Sequence, residues 1–199
     1  MKRHTNLWDK IIDYDNLFLA YTNARKGKRW QRNVQNFEKD IEGNLIKLQK
    51  SLINKTFTTS KYKVKTIYEP KERQIYILPF YPDRILQHAL LQIISPIWDK
   101  LFIDDSYSCR VNKGMHQASK KLMLNINKYN YCLKCDISKF YPSIDHKILF
   151  NIVQQKIKCG DTLWLIKNII DSFEGGKNAP IGNYTSQWFG NLYMNELDM

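Results

Sequence analysis

The clearest periodicity in the chain is Val34, Phe37, Ile41, Leu45, Leu48 and Leu52, apolar positions every three or four residues that predict an amphipathic helix. Leu7, Trp8, Ile11, Ile12, Phe18 and Tyr21 give a rougher stripe of the same kind, so the first 55 residues are expected to form two helices. From about Phe57 the period shortens. Tyr62–Tyr68 and Gln74–Leu78 are rich in β-branched and aromatic residues, and Glu69-Pro70-Lys71-Glu72-Arg73 between them supplies a turn, which predicts a β-hairpin with a basic tip. Asp83 is placed to cap a helix carrying Ile85, Leu86, Ala89, Leu90, Ile93 and Ile94 and ending near Pro96. A shorter helix follows Gly114, and Tyr129–Ile137 reads as a strand broken at Pro142. Asp145 is a natural N-cap for a helix through Ile148, Leu149, Ile152, Val153 and Ile157 that stops at Gly160. Two more helices are expected, from about Thr162 to Phe173 and from about Thr185. No internal repeat or Pro- or Ser-rich linker divides this α+β pattern.

Composition narrows the class. The chain of 199 residues is 43% hydrophobic, with Tyr 12, Phe 9 and Trp 5, enough to bury a core and too much for a disordered basic tail. No apolar run approaches the roughly 20 residues that span a bilayer, and no apolar signal core follows the charged N-terminus, so a cytoplasmic protein is expected. A formal charge of +12 points to a polyanionic partner, with nucleic acid first among candidates and plain solubility the alternative. Arg25-Lys26-Gly27-Lys28-Arg29-Trp30-Gln31-Arg32 concentrates five basic residues in eight. It is either a phosphate contact with Trp30 free to stack, or a solvated loop between helices. Cys132-Leu133-Lys134-Cys135 is formally a CxxC, but strand positions i and i+3 face opposite ways, so buried strand cysteines are expected in preference to a metal or redox pair.

The segment Leu133-Lys134-Cys135-Asp136-Ile137-Ser138-Lys139-Phe140-Tyr141-Pro142-Ser143-Ile144-Asp145-His146 carries the chemistry. An acid at the end of an apolar strand is costly unless it is paired or holds a metal. Phosphoryl transfer uses carboxylates in such positions to hold divalent cations between an attacking oxygen and a triphosphate. Asp136 suits that role, and Tyr141 is placed to floor the pocket; taken alone, a strand-end Asp is more often a cap or turn residue.

Asp136 to His146 resembles the first catalytic motif of reverse transcriptases of the bacterial retroelement type, and three further blocks agree in order. Leu78-Pro79-Phe80-Tyr81-Pro82-Asp83-Arg84 and its continuation to Leu90 resemble the fingers segment opened by Pro and an Asp-Arg pair. The stretch from Phe102 to Ala118, with Ser106-Tyr107, Arg110, Lys113-Gly114 and His116-Gln117-Ala118, resembles the next fingers block. Pro180-Ile181-Gly182-Asn183-Tyr184-Thr185-Ser186-Gln187 resembles the palm motif beside the incoming nucleotide. Its Ile181-Gly182 and Ser186-Gln187 pairs have the form typical of diversity-generating retroelements, and the Tyr68-Glu69-Pro70-Lys71 hairpin is similar to that group too.

The resemblance implies a right-hand polymerase: a helical segment over 1–55, fingers with the β-hairpin over 56–128, and a partial palm with part of an antiparallel sheet over 129–199. It implies RNA-directed DNA synthesis with two Mg²⁺ ions, deoxynucleoside triphosphates, an RNA template, a DNA primer and, in this group, an accessory protein. Asp136 would be the first metal-binding carboxylate, with the Ile137 carbonyl beside it, and Tyr141 the gate against a ribose 2′-hydroxyl. Arg73 would reach the triphosphate or base, and Ile181, with Gly182 and Gln187, would line the nucleotide pocket. Arg84, Arg110 and Lys113 would contact template or primer, a plain surface role being open for the last two. The string Phe102-Ile103-Asp104-Asp105 matches the (Tyr/Phe)-x-Asp-Asp pattern of the second catalytic hairpin but stands upstream of Asp136, so its acids are expected in an exposed turn. Only 12 residues follow Gln187, so that hairpin and the thumb are expected to be missing, and the 199 residues are expected not to polymerise alone. A non-catalytic RNA-binding module derived from such an enzyme is the alternative.

Overall fold

The computed structural model of the chain describes residues 3–68 and 72–199, so Glu69, Pro70 and Lys71 of the expected hairpin turn lie outside the described residues. The N-terminal region folds as α1 (Trp8–Ile12), α2 (Tyr14–Ala24), α3 (Arg32–Glu38) and α4 (Ile41–Ile53). The expected two helices are thus four. Asp13, with φ −55° and ψ 136°, interrupts the first. Asp40 interrupts the second and restarts it, its carboxylate accepting from the Gly43 N–H at 3.0 Å. The apolar stripe survives the break, since Val34, Phe37, Leu45, Leu48 and Leu52 are all buried.

The hairpin forms as expected, β1 (Lys63–Ile67) pairing antiparallel with β2 (Arg73–Ile77), Lys63 opposite Ile77 and Ile67 opposite Arg73. After a wide turn at Phe80–Arg84 comes α5 (Ile85–Asp99), the central helix, which buries Ile85, Leu86, Ala89, Leu90, Leu91, Ile94 and Trp98. A polar seam fixes α2 against it. Gln92 Nε2 donates to Asn16 Oδ1 at 2.8 Å, Asn23 Nδ2 donates to Gln92 Oε1 at 2.9 Å, and Asn16 Nδ2 donates to the Ala89 carbonyl at 3.1 Å. The chain continues through α6 (Met115–Ile126), the single turn α7 (Phe140–Ser143), α8 (His146–Lys156), α9 (Gly160–Asp171) and α10 (Tyr184–Asp198). One contiguous core runs from Leu7 to Leu192, with Trp98 against Phe189 and Phe102 against Trp188. No helix among the described residues is long and apolar enough to cross a membrane.

Five further expectations are corrected. Asp83 does not cap α5; its Oδ1 accepts from the Ser60 N–H at 3.0 Å, because the wide turn faces it toward the strap at 56–62. Pro96 does not end α5, which carries Trp98 into the core beyond it; the helix continues although the proline has no N–H to bond the carbonyl four residues earlier. The helix from Asp145 stops at Lys156, because Ile157 is extended and bridges His4, and Gly160 opens α9 instead. Residues 129–137 form no strand, so the hairpin is the one sheet among the described residues and the partial palm sheet is absent there. A strand holds only where a neighbour satisfies its backbone groups, and no described segment pairs with this one. Cys132 and Cys135, expected to be buried in it, are therefore exposed free thiols.

Candidate active site

Asp136 and Ile137 lie in the exposed stretch just before α7. Lys139 then takes the left-handed conformation, at φ 51°, and starts the turn that carries Tyr141. From there the motif is tied to the segment before α10. The Ala179 N–H donates to the Tyr141 carbonyl at 3.0 Å, and the Asn178 N–H to the Ile144 carbonyl at 2.9 Å. His146 is buried with Nε2 at 2.9 Å from the Asn178 carbonyl; that oxygen can only accept, so Nε2 carries the proton. Asp145 caps α8 as expected, accepting from the N–H groups of Lys147 and Ile148 at 2.9 and 3.2 Å, and these bonds hold its carboxyl below the usual range. The ring of Tyr141 rests on α10 at Gly190, where a Cβ would stand 3.2 Å from its Cε1. Burial raises the Tyr141 hydroxyl pKa, so it stays protonated near neutral pH.

The hairpin docks on the same segment. The Tyr76 N–H donates to the Ile181 carbonyl at 2.7 Å. Gly182, at φ 114°, lies so close that a Cβ would sit 2.7 Å from the Tyr76 carbonyl oxygen. Tyr62, just ahead of β1, bonds the Ser172 hydroxyl at 2.7 Å and accepts from Asn183 Nδ2 at 3.3 Å, while Tyr76 meets Phe173 edge-on at 5.2 Å. Arg73 stands exposed at the start of β2.

Beside this junction opens a cleft of about 330 Å³, whose lining includes Lys26, Lys28, Arg84, His88, Gly182 and Gln187. It has four basic side chains and no acid. His88 stacks on Tyr184 with ring centroids 4.4 Å apart. Burial first, and then the charges of Arg84, Lys28 and Lys26, depress the His88 pKa from 6.5 to about 4. Burial and the neighbouring Arg84 likewise lower Lys28. Because the folded His88 binds its proton more weakly than the unfolded one, the unfolded chain holds more protons between pH 4 and 6.5, and stability falls as pH drops through that window. Urea denaturation from pH 7 to pH 4 should show this loss, and His88→Phe, which keeps a ring against Tyr184, should reduce it.

Three of the residues singled out in the sequence, Arg84, Gly182 and Gln187, thus line one cleft, and Ile181 and Tyr141 flank the junction next to it. Residues 69–197 match the family model described as reverse transcriptase (RNA-dependent DNA polymerase). The chain belongs to the reverse transcriptase family. It is similar to the group II intron-encoded protein LtrA of Lactococcus lactis subsp. cremoris, 23% identical over 98% of this chain and 35% of that protein. It is 24% identical to nuclear intron maturase 1, mitochondrial, of Arabidopsis thaliana over 83% of this chain and 21% of that protein. It is also 24% identical to protein YkfC of Escherichia coli K12, over 61% of this chain and 35% of that one. The chain therefore matches about a third or less of the length of these relatives.

Elsewhere in this reverse transcriptase domain the structure assigns other work. Arg110 spends four donor contacts inside the chain, on Asp99 Oδ1 and the carbonyls of Asp99, Ile103 and Ser106, and lies over Phe102, so it organises the loop after α5. Lys113 bonds Asp104 at both its carbonyl and carboxylate, each at 2.7 Å. Asp104 and Asp105 sit in an exposed turn as expected; the Lys113 hydrogen bond and charge lower the Asp104 pKa, and Asp105 accepts from the Tyr107 hydroxyl at 2.8 Å. The described residues do not by themselves fit a magnesium site, since no group of three or more His, Cys, Asp or Glu among them could hold an ion. His88 has no role in the sequence reading, its place in the Asp83-Arg84 block being the available signal, and Lys26 enters there only as a member of the basic run at 25–32, read as phosphate contact or solvated loop.

Proposed function

We propose that the chain is the fingers (56–128) and part of the palm (129–199), with a helical N-terminal segment (1–55), of an RNA-directed DNA polymerase that copies template RNA into cDNA. The observation that carries the reading is the junction at 179–182, where the Tyr141 carbonyl, the β2 hairpin and the start of α10 meet through the Ala179 and Tyr76 hydrogen bonds. It gathers three motifs, far apart in sequence, around one spot beside a basic cleft.

In the reaction, the primer 3′-hydroxyl oxygen forms a new bond to the α-phosphorus of a deoxynucleotide while the bond to the departing pyrophosphate breaks. Divalent ions in such enzymes hold charge between the two oxygens, and here Asp136 and the Ile137 carbonyl would need carboxylates from a longer chain to hold them. Tyr141, braced on Gly190, would exclude a ribose 2′-hydroxyl; Arg73 would reach the triphosphate. Gly182 and Gln187 would shape the nucleotide pocket, and Arg84 would grip template or primer. Ile181 in place of a hydrogen-bonding side chain, with Ser186-Gln187, supports a diversity-generating retroelement, with looser hold on template and nucleotide and a retroelement accessory protein as partner.

A non-catalytic RNA-binding module is the second reading, favoured by the absence of a metal-ligating cluster among the described residues. Extension of a DNA primer on an RNA template, by a longer protein that contains these residues, separates the two. DNA product that requires Mg²⁺ supports the polymerase. RNA binding without any incorporation of the four deoxynucleotides supports the module instead.

A further inference from the structure

One peptide group in the segment before α10 is held from both sides. The Asn178 carbonyl and the Ala179 N–H belong to the same planar trans unit, so they point in opposite directions. On one side His146 Nε2 donates to the Asn178 carbonyl at 2.9 Å; on the other the Ala179 N–H donates to the Tyr141 carbonyl at 3.0 Å. His146, Asn178 and Ala179 are all buried. Turning that peptide would break both bonds and strand a buried carbonyl without a partner. The conformation needs holding, because Asn178 stands at φ 94°, where L side chains rarely go. Backbone bonds anchor the flanks, the Asn178 N–H donating to the Ile144 carbonyl at 2.9 Å and the His146 N–H to the Gly176 carbonyl at 3.0 Å. The imidazole holds the carbonyl end of the 178–179 plane itself. Its other nitrogen, Nδ1, stands 3.8 Å from Asp171, beyond hydrogen-bond reach, and that carboxylate already accepts from Lys167.

We propose that His146 is a positioning residue that, through the 178–179 peptide, sets the separation between Tyr141 and the Ile181-Gly182 turn. The inference rests on the reading of Tyr141 as the gate against a ribose 2′-hydroxyl and of Ile181 and Gly182 as part of the nucleotide pocket. Two residues beyond Ala179, Ile181 is fixed to β2 by the Tyr76 N–H, so the clamped peptide links the gate to the hairpin. The contact of the Tyr141 ring with Gly190 restrains the ring, but not the backbone turn that carries it. Loss of the imidazole N–H frees that turn, and the gate drifts from the pocket it guards. His146 touches no reacting atom in this scheme, so its effect falls on the choice of sugar.

The clamp is tested in the 199-residue chain. His146→Gln keeps an amide N–H about where Nε2 stands, whereas His146→Leu fills the space without a donor. Amide exchange at Ala179, taken relative to Leu192, should be at least about tenfold faster in His146→Leu and within about twofold of wild type in His146→Gln. Leu48→Ala opens the core at α4, far from the clamp, and should leave that ratio unchanged. Unchanged Ala179 protection in His146→Leu, or an equal loss in Leu48→Ala, overturns the clamp. Should His146→Leu not fold, nitrogen-15 shifts of the wild-type imidazole at about pH 8 decide: a proton on Nε2 is expected, and one on Nδ1 instead overturns it. The gate is tested in a longer protein containing these residues, by the ratio of kcat/KM for deoxynucleotides to that for ribonucleotides. A misplacement of about 1 Å can cost about a hundredfold, so His146→Leu should lower the ratio at least about tenfold, with His146→Gln and Leu48→Ala within about twofold of wild type. Synthesis with an unchanged ratio in His146→Leu overturns the positioning role and leaves the polymerase reading standing. No synthesis by the wild-type longer protein overturns the polymerase reading and the gate with it, while the clamp is still judged by Ala179 exchange.

Discussion

Gly182→Ala is expected to cost about 2–4 kcal/mol and to release the β1–β2 hairpin from the segment at 179–182. Two effects add. At φ 114° an alanine is held where L residues rarely go, at about 1–3 kcal/mol. Its Cβ would also stand 2.7 Å from the Tyr76 carbonyl oxygen and 2.9 Å from Ile75 Cγ2. Backbone cannot swing aside as a long side chain can, so β2 must move and the Tyr76 N–H to Ile181 carbonyl bond lengthens or breaks, adding about 1 kcal/mol. Urea denaturation measures the first part. Amide hydrogen exchange at Tyr76 measures the second, with faster exchange than wild type expected. Wild-type stability with a protected Tyr76 amide would show that the hairpin does not depend on this contact.

Local pattern made much of the fold legible. The stripe from Val34 to Leu52, the cap at Asp145 and the hairpin all depend on neighbours in sequence, and all form. What failed depends on distant partners. Residues 129–137 have strand composition, yet a strand needs a paired neighbour and none is described beside it. Asp83 has the chemistry of an N-cap, but Ser60, 23 residues earlier, takes its carboxylate. Arg110 looked available to a template until the loop after α5 closed around its guanidinium. The site divides the same way. Arg84, Gly182, Gln187, Ile181 and Tyr141 were legible as motif positions, whereas the convergence of Lys26 and Lys28 on Arg84 joins segments almost 60 residues apart, and no periodicity reports it.

The largest functional effect is expected at Asp136. Asn has the same size and keeps one acceptor oxygen, but it lacks the negative charge that a hard divalent ion requires from its few protein ligands. Charge stabilisation by such ions contributes several kcal/mol at the transition state, so Asp136→Asn should slow synthesis by at least about 10³-fold. Asp136 is exposed, outside the buried core and away from the basic cleft, so neither folding nor strand binding should change. The direct test is single-turnover primer extension and oligonucleotide binding on the same Asp136→Asn preparation of a longer protein containing these residues. A rate down by at least about 10³-fold, with Kd within about twofold of wild type, is the predicted result. Synthesis at the wild-type rate would contradict the assignment of this motif as the catalytic one.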